Sequence, residues 1–163
     1  MTHANVSSKT FLLVTVVAAI TASAASAVSL ALSVPVWAMF IGWIAFFTRG
    51  LNTRSSFENL GCVWAGLAIG CLASLATLAL ASSMGATTAL PVVVFIVALF
   101  VVSMRGLPVL NNLLGYFLGL VSWFAAHLEP TMASVLHLGG AAAVGTFAGW
   151  VAHHVPQRIN RLA

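Results

Sequence analysis

Charge is scarce in this chain. Only six Lys and Arg and two acidic residues occur in 163 positions, so charged residues make up 5%. A soluble domain carries roughly 25%, and this sequence could not cover a water-facing surface. With 61% hydrophobic residues, it reads as an integral membrane protein that lives in the lipid bilayer. The net charge of +4 does not make it a nucleic-acid binder, because the basic residues are spread over four short segments without forming a basic face. Cysteine is scarce too. Cys62 and Cys71 are nine residues apart, about 13 Å along a helix and on nearly opposite faces. A disulfide between them is excluded, and they read as small buried hydrophobes. There is no nucleotide motif, no catalytic Ser or Cys constellation and no carboxylate pair, so neither an enzyme nor a cofactor is expected. His153 and His154 are adjacent, diverge by about 100° on a helix, and make no metal site.

What is present is a repeat. Residues 40–47 read Phe-Ile-Gly-Trp-Ile-Ala-Phe-Phe, and residues 117–124 read Phe-Leu-Gly-Leu-Val-Ser-Trp-Phe, 77 positions later. Gly61, Gly66 and Gly70 recur with the same spacing as Gly140, Gly145 and Gly149, 79 positions later. A two-residue insertion in a loop explains the change of offset. An odd number of spans per copy turns the second copy upside down, an architecture common in channels and transporters.

Six spans follow from the apolar runs: Phe11–Leu32, Val36–Thr48, Glu58–Leu80, Leu90–Met104, Val109–Ala126 and Met132–His153. A small-residue loop is expected at Ala81–Ala89, and Pro91 opens the fourth span. With the N-terminus inside, Lys9, Arg49, Arg54, Arg105, Arg158 and Arg161 all fall on the cytoplasmic side, and the opposite loops hold Glu129 with no Lys or Arg. The positive-inside rule asks for this separation. The expected fold is therefore an all-α integral membrane protein with both termini cytoplasmic. It is one membrane domain over 1–163, with six transmembrane helices as two inverted three-helix repeats, about 11–80 and 90–153, and a basic tail at 154–163. Lys9, the run 11–20 and the Ala-Ser-Ala triplets up to Ala27 can also be read as a cleaved secretory signal. The repeat argues against that, since cleavage would remove the partner of the fourth span.

Certain residues stand out within this frame. Gly66-x-x-x-Gly70 and Gly145-x-x-x-Gly149 suit close helix packing, and so does Gly115-x-x-x-Gly119. Gly42 and Gly119, central in the repeated phrases, can alternatively leave room for a permeant. Phe40 and Phe47, with Phe117 and Phe124, are seven apart and share a helical face. Paired across the halves they would form an apolar constriction of the kind that passes small neutral solutes in preference to ions, with core packing as the alternative. Glu58 and His137 hold equivalent positions three before each glycine triplet, candidates for the two mouths. Asn111 and Asn112 fall in the first turn of span five, as caps or at a vestibule. Trp37, Trp123 and Trp150 read as interfacial. No Asp, Glu, Lys or Arg lies in the middle of any span, which counts against a proton-driven carrier.

The run Trp37-Ala-Met-Phe-Ile-Gly-Trp-Ile-Ala-Phe-Phe47 with the following glycine triplet, and the later run Phe117-Leu-Gly-Leu-Val-Ser-Trp-Phe-Ala125, resemble a family of small bacterial inner-membrane proteins catalogued only as a domain of unknown function. The resemblance covers about residues 34–153. It implies a multi-pass protein of the bacterial inner membrane and transfers no active residues. The first ten residues are more polar than the family pattern. The expected function is a channel or facilitator for small neutral or weakly charged solutes, acting as a homo-oligomer. The alternative is a structural or accessory membrane subunit without a permeation path. Ser122, Asn112 and Thr146 discriminate: they face a continuous path in the first case and hydrogen-bond locally in the second.

Overall fold

The computed structural model describes residues 8–162. Residues 1–7 and 163, and the side chains of Lys9 and residues 160–162, lie outside the described residues. The start of the 1–27 leader reading and the side chains of Lys9 and Arg161 fall there. The chain forms six α-helices: α1 Ser8–Ala31, α2 Val36–Phe47, α3 Thr53–Met84, α4 Ala86–Ser103, α5 Leu113–Ala126 and α6 Met132–Leu162. A 3-10 turn at Met104–Gly106 follows α4. No strand occurs among the described residues.

Four of these helices, α1, α3, α4 and α6, are long and apolar enough to cross a membrane. The other two are not. α2 has 12 residues and α5 has 14, about 18 and 21 Å against a hydrocarbon core of ~30 Å. The count of six full spans is thus corrected to six helices with four of spanning length. The reason is local. Pro35 starts α2, and the Thr48–Asn52 segment ends it with Gly50 and Leu51 at positive φ. Asn112 caps α5 at its start, and His127, at φ 49, closes it in the left-handed conformation.

Other boundaries move as well. α3 begins five residues earlier than its apolar run, because the Asn52 side chain accepts a hydrogen bond from the Ser55 amide and caps polar first turns. The loop expected at Ala81–Ala89 is a single residue. Gly85, at φ 80, separates α3 from α4, a conformation that glycine adopts without steric cost. Pro91 accordingly stands on the sixth position of α4 rather than at its opening. α5 begins at Leu113, four residues later than its apolar run, which leaves Asn111 just outside it. α6 continues as helix to Leu162, into the residues read as a basic tail.

Each short helix packs on a long helix from the other half of the chain. α2 lies along α6, and α5 lies along α3. α1 and α4 are peripheral, α1 resting on α6 and α4 on α3. The centre is filled by Ala38, Val63, Leu67, Trp123, Leu138 and Ala142, all buried. Small residues are what let these helices approach so closely, since lipid tails are as apolar as leucine and supply no hydrophobic drive between helices.

Candidate functional site

The repeated glycines meet across the two halves. A Cβ added to Gly42 would strike the Ala142 backbone, and one added to Gly119 would strike the Val63 carbonyl. Gly145 abuts the Met39 carbonyl, and Gly66 abuts that of Tyr116. The third pair rests on aromatic rings: a Cβ at Gly70 would lie 2.7 Å from Trp123, and one at Gly149 would lie 3.1 Å from Phe46. Gly42 and Gly119 therefore face neighbouring backbone at contact distance, and neither leaves room for a permeant in this conformation. The first members differ, with Gly61 against the Leu110 side chain and Gly140 beside open space.

The four phenylalanines do not form one ring. Phe40, Phe47, Phe117 and Phe124 are 40%, 46%, 39% and 41% exposed and look outward. Phe40 and Phe47 sit beside Trp43 on α2, with ring centroids 6.5 and 6.4 Å away. Phe47 joins Trp43 and His153 in lining a groove of about 430 Å³ between α1, α2 and α6. Phe117 and Phe124 line an apolar groove of about 400 Å³ with α4. The constriction expected from the sequence is corrected: period seven puts each pair on one face, and that face is the outside of the bundle. Trp123 is also not interfacial. It is 2% exposed and donates from Nε1 to Ser74 Oγ at 2.8 Å.

A polar cluster gathers where α2 ends and where α3 and α5 begin. Asn112 Nδ2 donates to Asn59 Oδ1 at 2.8 Å and to Thr48 Oγ1, while Asn112 Oδ1 receives the Gly115 amide. Asn59 Nδ2 donates to the Arg49 carbonyl at 2.8 Å. Arg49 reaches Asn111 Oδ1 from Nη1 and Glu58 Oε2 from Nη2, the latter at 2.7 Å, and Arg54 Nε binds Glu58 Oε1 at 2.9 Å. Glu58 and Asn112, named separately in the sequence, are thus joined through Arg49 and Asn59, which sequence reasoning missed. The only signal for Asn59 was an amide one residue beyond a helix-opening glutamate. His137, the counterpart of Glu58, is half-buried on α6 and belongs to no such cluster among the described residues.

The discriminating polar groups all find partners within the packed bundle. Ser122 Oγ donates to the Leu118 carbonyl one turn back at 2.8 Å. Thr146 Oγ1 donates to the Gly42 carbonyl across the α2–α6 contact at 3.0 Å. Asn112 belongs to the cluster above. No buried side-chain nitrogen or oxygen among the described residues lacks a partner. Cys62 and Cys71 are buried free thiols. Among the described residues no three His, Cys, Asp or Glu side chains converge as they would around a metal ion.

No curated protein matches this chain, and no solved structure does. A family model described as "Protein of unknown function (DUF1097)" matches residues 13–157. The match runs from within α1 to within α6, most of the chain, and the protein belongs to that family of unknown function.

Proposed function

We propose that this protein is a non-catalytic facilitator for small neutral or weakly charged solutes in the bacterial inner membrane. It acts as a homo-oligomer built from two inverted three-helix repeats, with both termini cytoplasmic. The exchange of contacts between halves supports the repeat. The pairs Gly42–Ala142, Gly145–Met39 and Gly149–Phe46 become Gly119–Val63, Gly66–Tyr116 and Gly70–Trp123 under the same offsets of 77 and 79 that relate the sequences. Such exchange is expected when two copies pack around a pseudo-two-fold axis.

Because the centre of one chain is filled, the path runs along the outer faces of α2 and α5, where neighbouring subunits complete it. One observation carries this reading. Phe40, Phe47, Phe117 and Phe124 expose matched aromatic faces on two helices of about 18 and 21 Å. Short helices thin the apolar barrier, and aromatic walls without charge favour neutral solutes. The accessory-subunit reading is favoured by a different observation: Ser122 hydrogen-bonds within its own helix, and Thr146 and Asn112 spend their hydrogen bonds on packed neighbouring segments.

Stopped-flow swelling of proteoliposomes with water, glycerol, urea, ammonia and short-chain acids separates the two. Flux above protein-free liposomes, altered by both Phe47→Ala and Phe124→Ala, is the expected result. No flux for any solute in a folded preparation transfers the assignment to the accessory reading.

A further inference from the structure

Between them α3 and α6 leave a groove of about 340 Å³, lined by Thr53, Phe57, Leu60, Ala143, Phe147 and Trp150 among others. Its walls are apolar and open outward, with Phe57 and Phe147 72% and 67% exposed. One end is polar. Trp150 Nε1 donates to Thr53 Oγ1 at 3.0 Å, which pins the indole at the start of α3. The His154 ring stacks on that indole with centroids 4.7 Å apart. Phe147, Trp150, His154 and Arg158 follow one another at three- and four-residue spacing, so they share a face of α6.

Charge at this end is unbalanced. Glu58 is shared by Arg49 and Arg54, which leaves one positive charge over. The Arg54 side chain is 82% exposed and uses only Nε on Glu58, so both Nη nitrogens have no acceptor among the described residues. Arg158 is exposed and likewise has none. The apolar trough ends in an indole, and beyond that end stand two free guanidiniums: Arg54 next to the lining residue Thr53, and Arg158 one turn past His154 on the same face of α6. Together these suit an amphipathic anion: an acyl chain for the trough, an interfacial polar group for the indole, and a phosphate for the cations.

We infer that the α3–α6 groove is a binding site for one anionic phospholipid, with an acyl chain along Leu60 and Phe147 and the headgroup phosphate held by Arg54 and Arg158. Charge complementarity selects this occupant over a zwitterionic lipid, whose added ammonium would meet the same guanidiniums. The inference is independent of whether solutes cross the protein.

Native mass spectrometry of the protein in a mild detergent, titrated with phosphatidylglycerol or with phosphatidylcholine of the same chains, tests it. One bound phosphatidylglycerol per chain at concentrations where phosphatidylcholine does not bind is expected. A cation near an anionic headgroup is worth about a factor of five, so Arg54→Gln with Arg158→Gln weakens binding about thirtyfold. Arg105→Gln removes the same charge from the turn after α4, on neither of the two helices that form the groove, and leaves binding close to that of the parent. Equal binding of the two lipids overturns the site. So does equal weakening by Arg105→Gln, by Arg54→Gln and by Arg158→Gln, which would mean a diffuse attraction to the whole basic end.

Discussion

Gly66 and Gly119 meet at the crossing of α3 and α5: a Cβ built on Gly66 would stand 3.0 Å from the Cα of Gly119, and one built on Gly119 would stand 2.8 Å from the Cα of Gly66. Two backbones touch there with nothing between them. A methyl group at either position has backbone to displace, not the tip of a flexible side chain.

Gly66→Ala and Gly119→Ala are therefore expected to destabilise the bundle by about 2–3 kcal/mol each, the upper range for overpacking. Gly140→Ala, where a methyl meets open space, should be neutral or stabilise by up to about 1 kcal/mol through helix propensity. Thermal or dodecyl-sulfate unfolding in detergent ranks the three. A ranking with Gly140→Ala as harmful as the others would contradict the crossing.

The asparagine pair makes a second prediction. Asn59→Leu removes the donor to the Arg49 carbonyl and the acceptor for Asn112, leaving buried polar groups unpaired. A loss of about 2–3 kcal/mol is expected, together with faster amide exchange in residues 48–59. If exchange there is unchanged, the cluster does not hold the α2–α3 connection.

The two arginines on Glu58 should differ. Arg54 is 82% exposed, whereas Arg49 is 34% exposed and also binds Asn111. Arg54→Gln is expected to change stability by at most about 0.5 kcal/mol, the usual worth of an exposed i,i+4 pair. Arg49→Gln should cost more, about 1–2 kcal/mol, because charged hydrogen bonds to two segments are lost together. Melting curves at low and high salt check this, with salt dependence smaller for Arg49.

Thiol chemistry reads the outer faces. Cys62 and Cys71 are buried and should label slowly with a maleimide in the folded protein. With both replaced by Ala, a cysteine at position 47 or 124 should label quickly in detergent and, on addition of a mild oxidant, form disulfide-linked dimers in the membrane. Rapid labelling without dimers would remove the support for a path between subunits.

How far the sequence could be read depended on the kind of signal. The glycine spacing that joins α3 to α5 and α2 to α6 was visible because small residues at four-residue intervals have few other uses in an apolar helix. The direction of Phe40 and Phe124 was not. In a soluble protein an apolar face points inward, but in lipid both inward and outward faces are apolar, so periodicity gives a shared face without its orientation. Asn59 escaped notice for a different reason. Its partners lie 10 and 53 residues away, one across the α2–α3 connection and the other brought in by the crossing of α3 and α5. The helix ends at Thr53 and Gly85 were obscured by composition, since polar first turns look like loop until the Asn52 cap is seen.

The reciprocal packing of short on long helices also bears on how the chain is made. α2 leaves the ribosome early, yet the surface it rests on belongs to α6, which follows about a hundred residues later. Until then the Gly42 face has no backbone to close against, and the Thr146 hydroxyl that reaches its carbonyl has not been synthesised. α3 and α5 can dock first, but the other half of the interior stays open. This packing is consequently closed by α6 rather than accumulated span by span. A nascent chain arrested before Met132 would hold the first two helices in the bilayer without their seat.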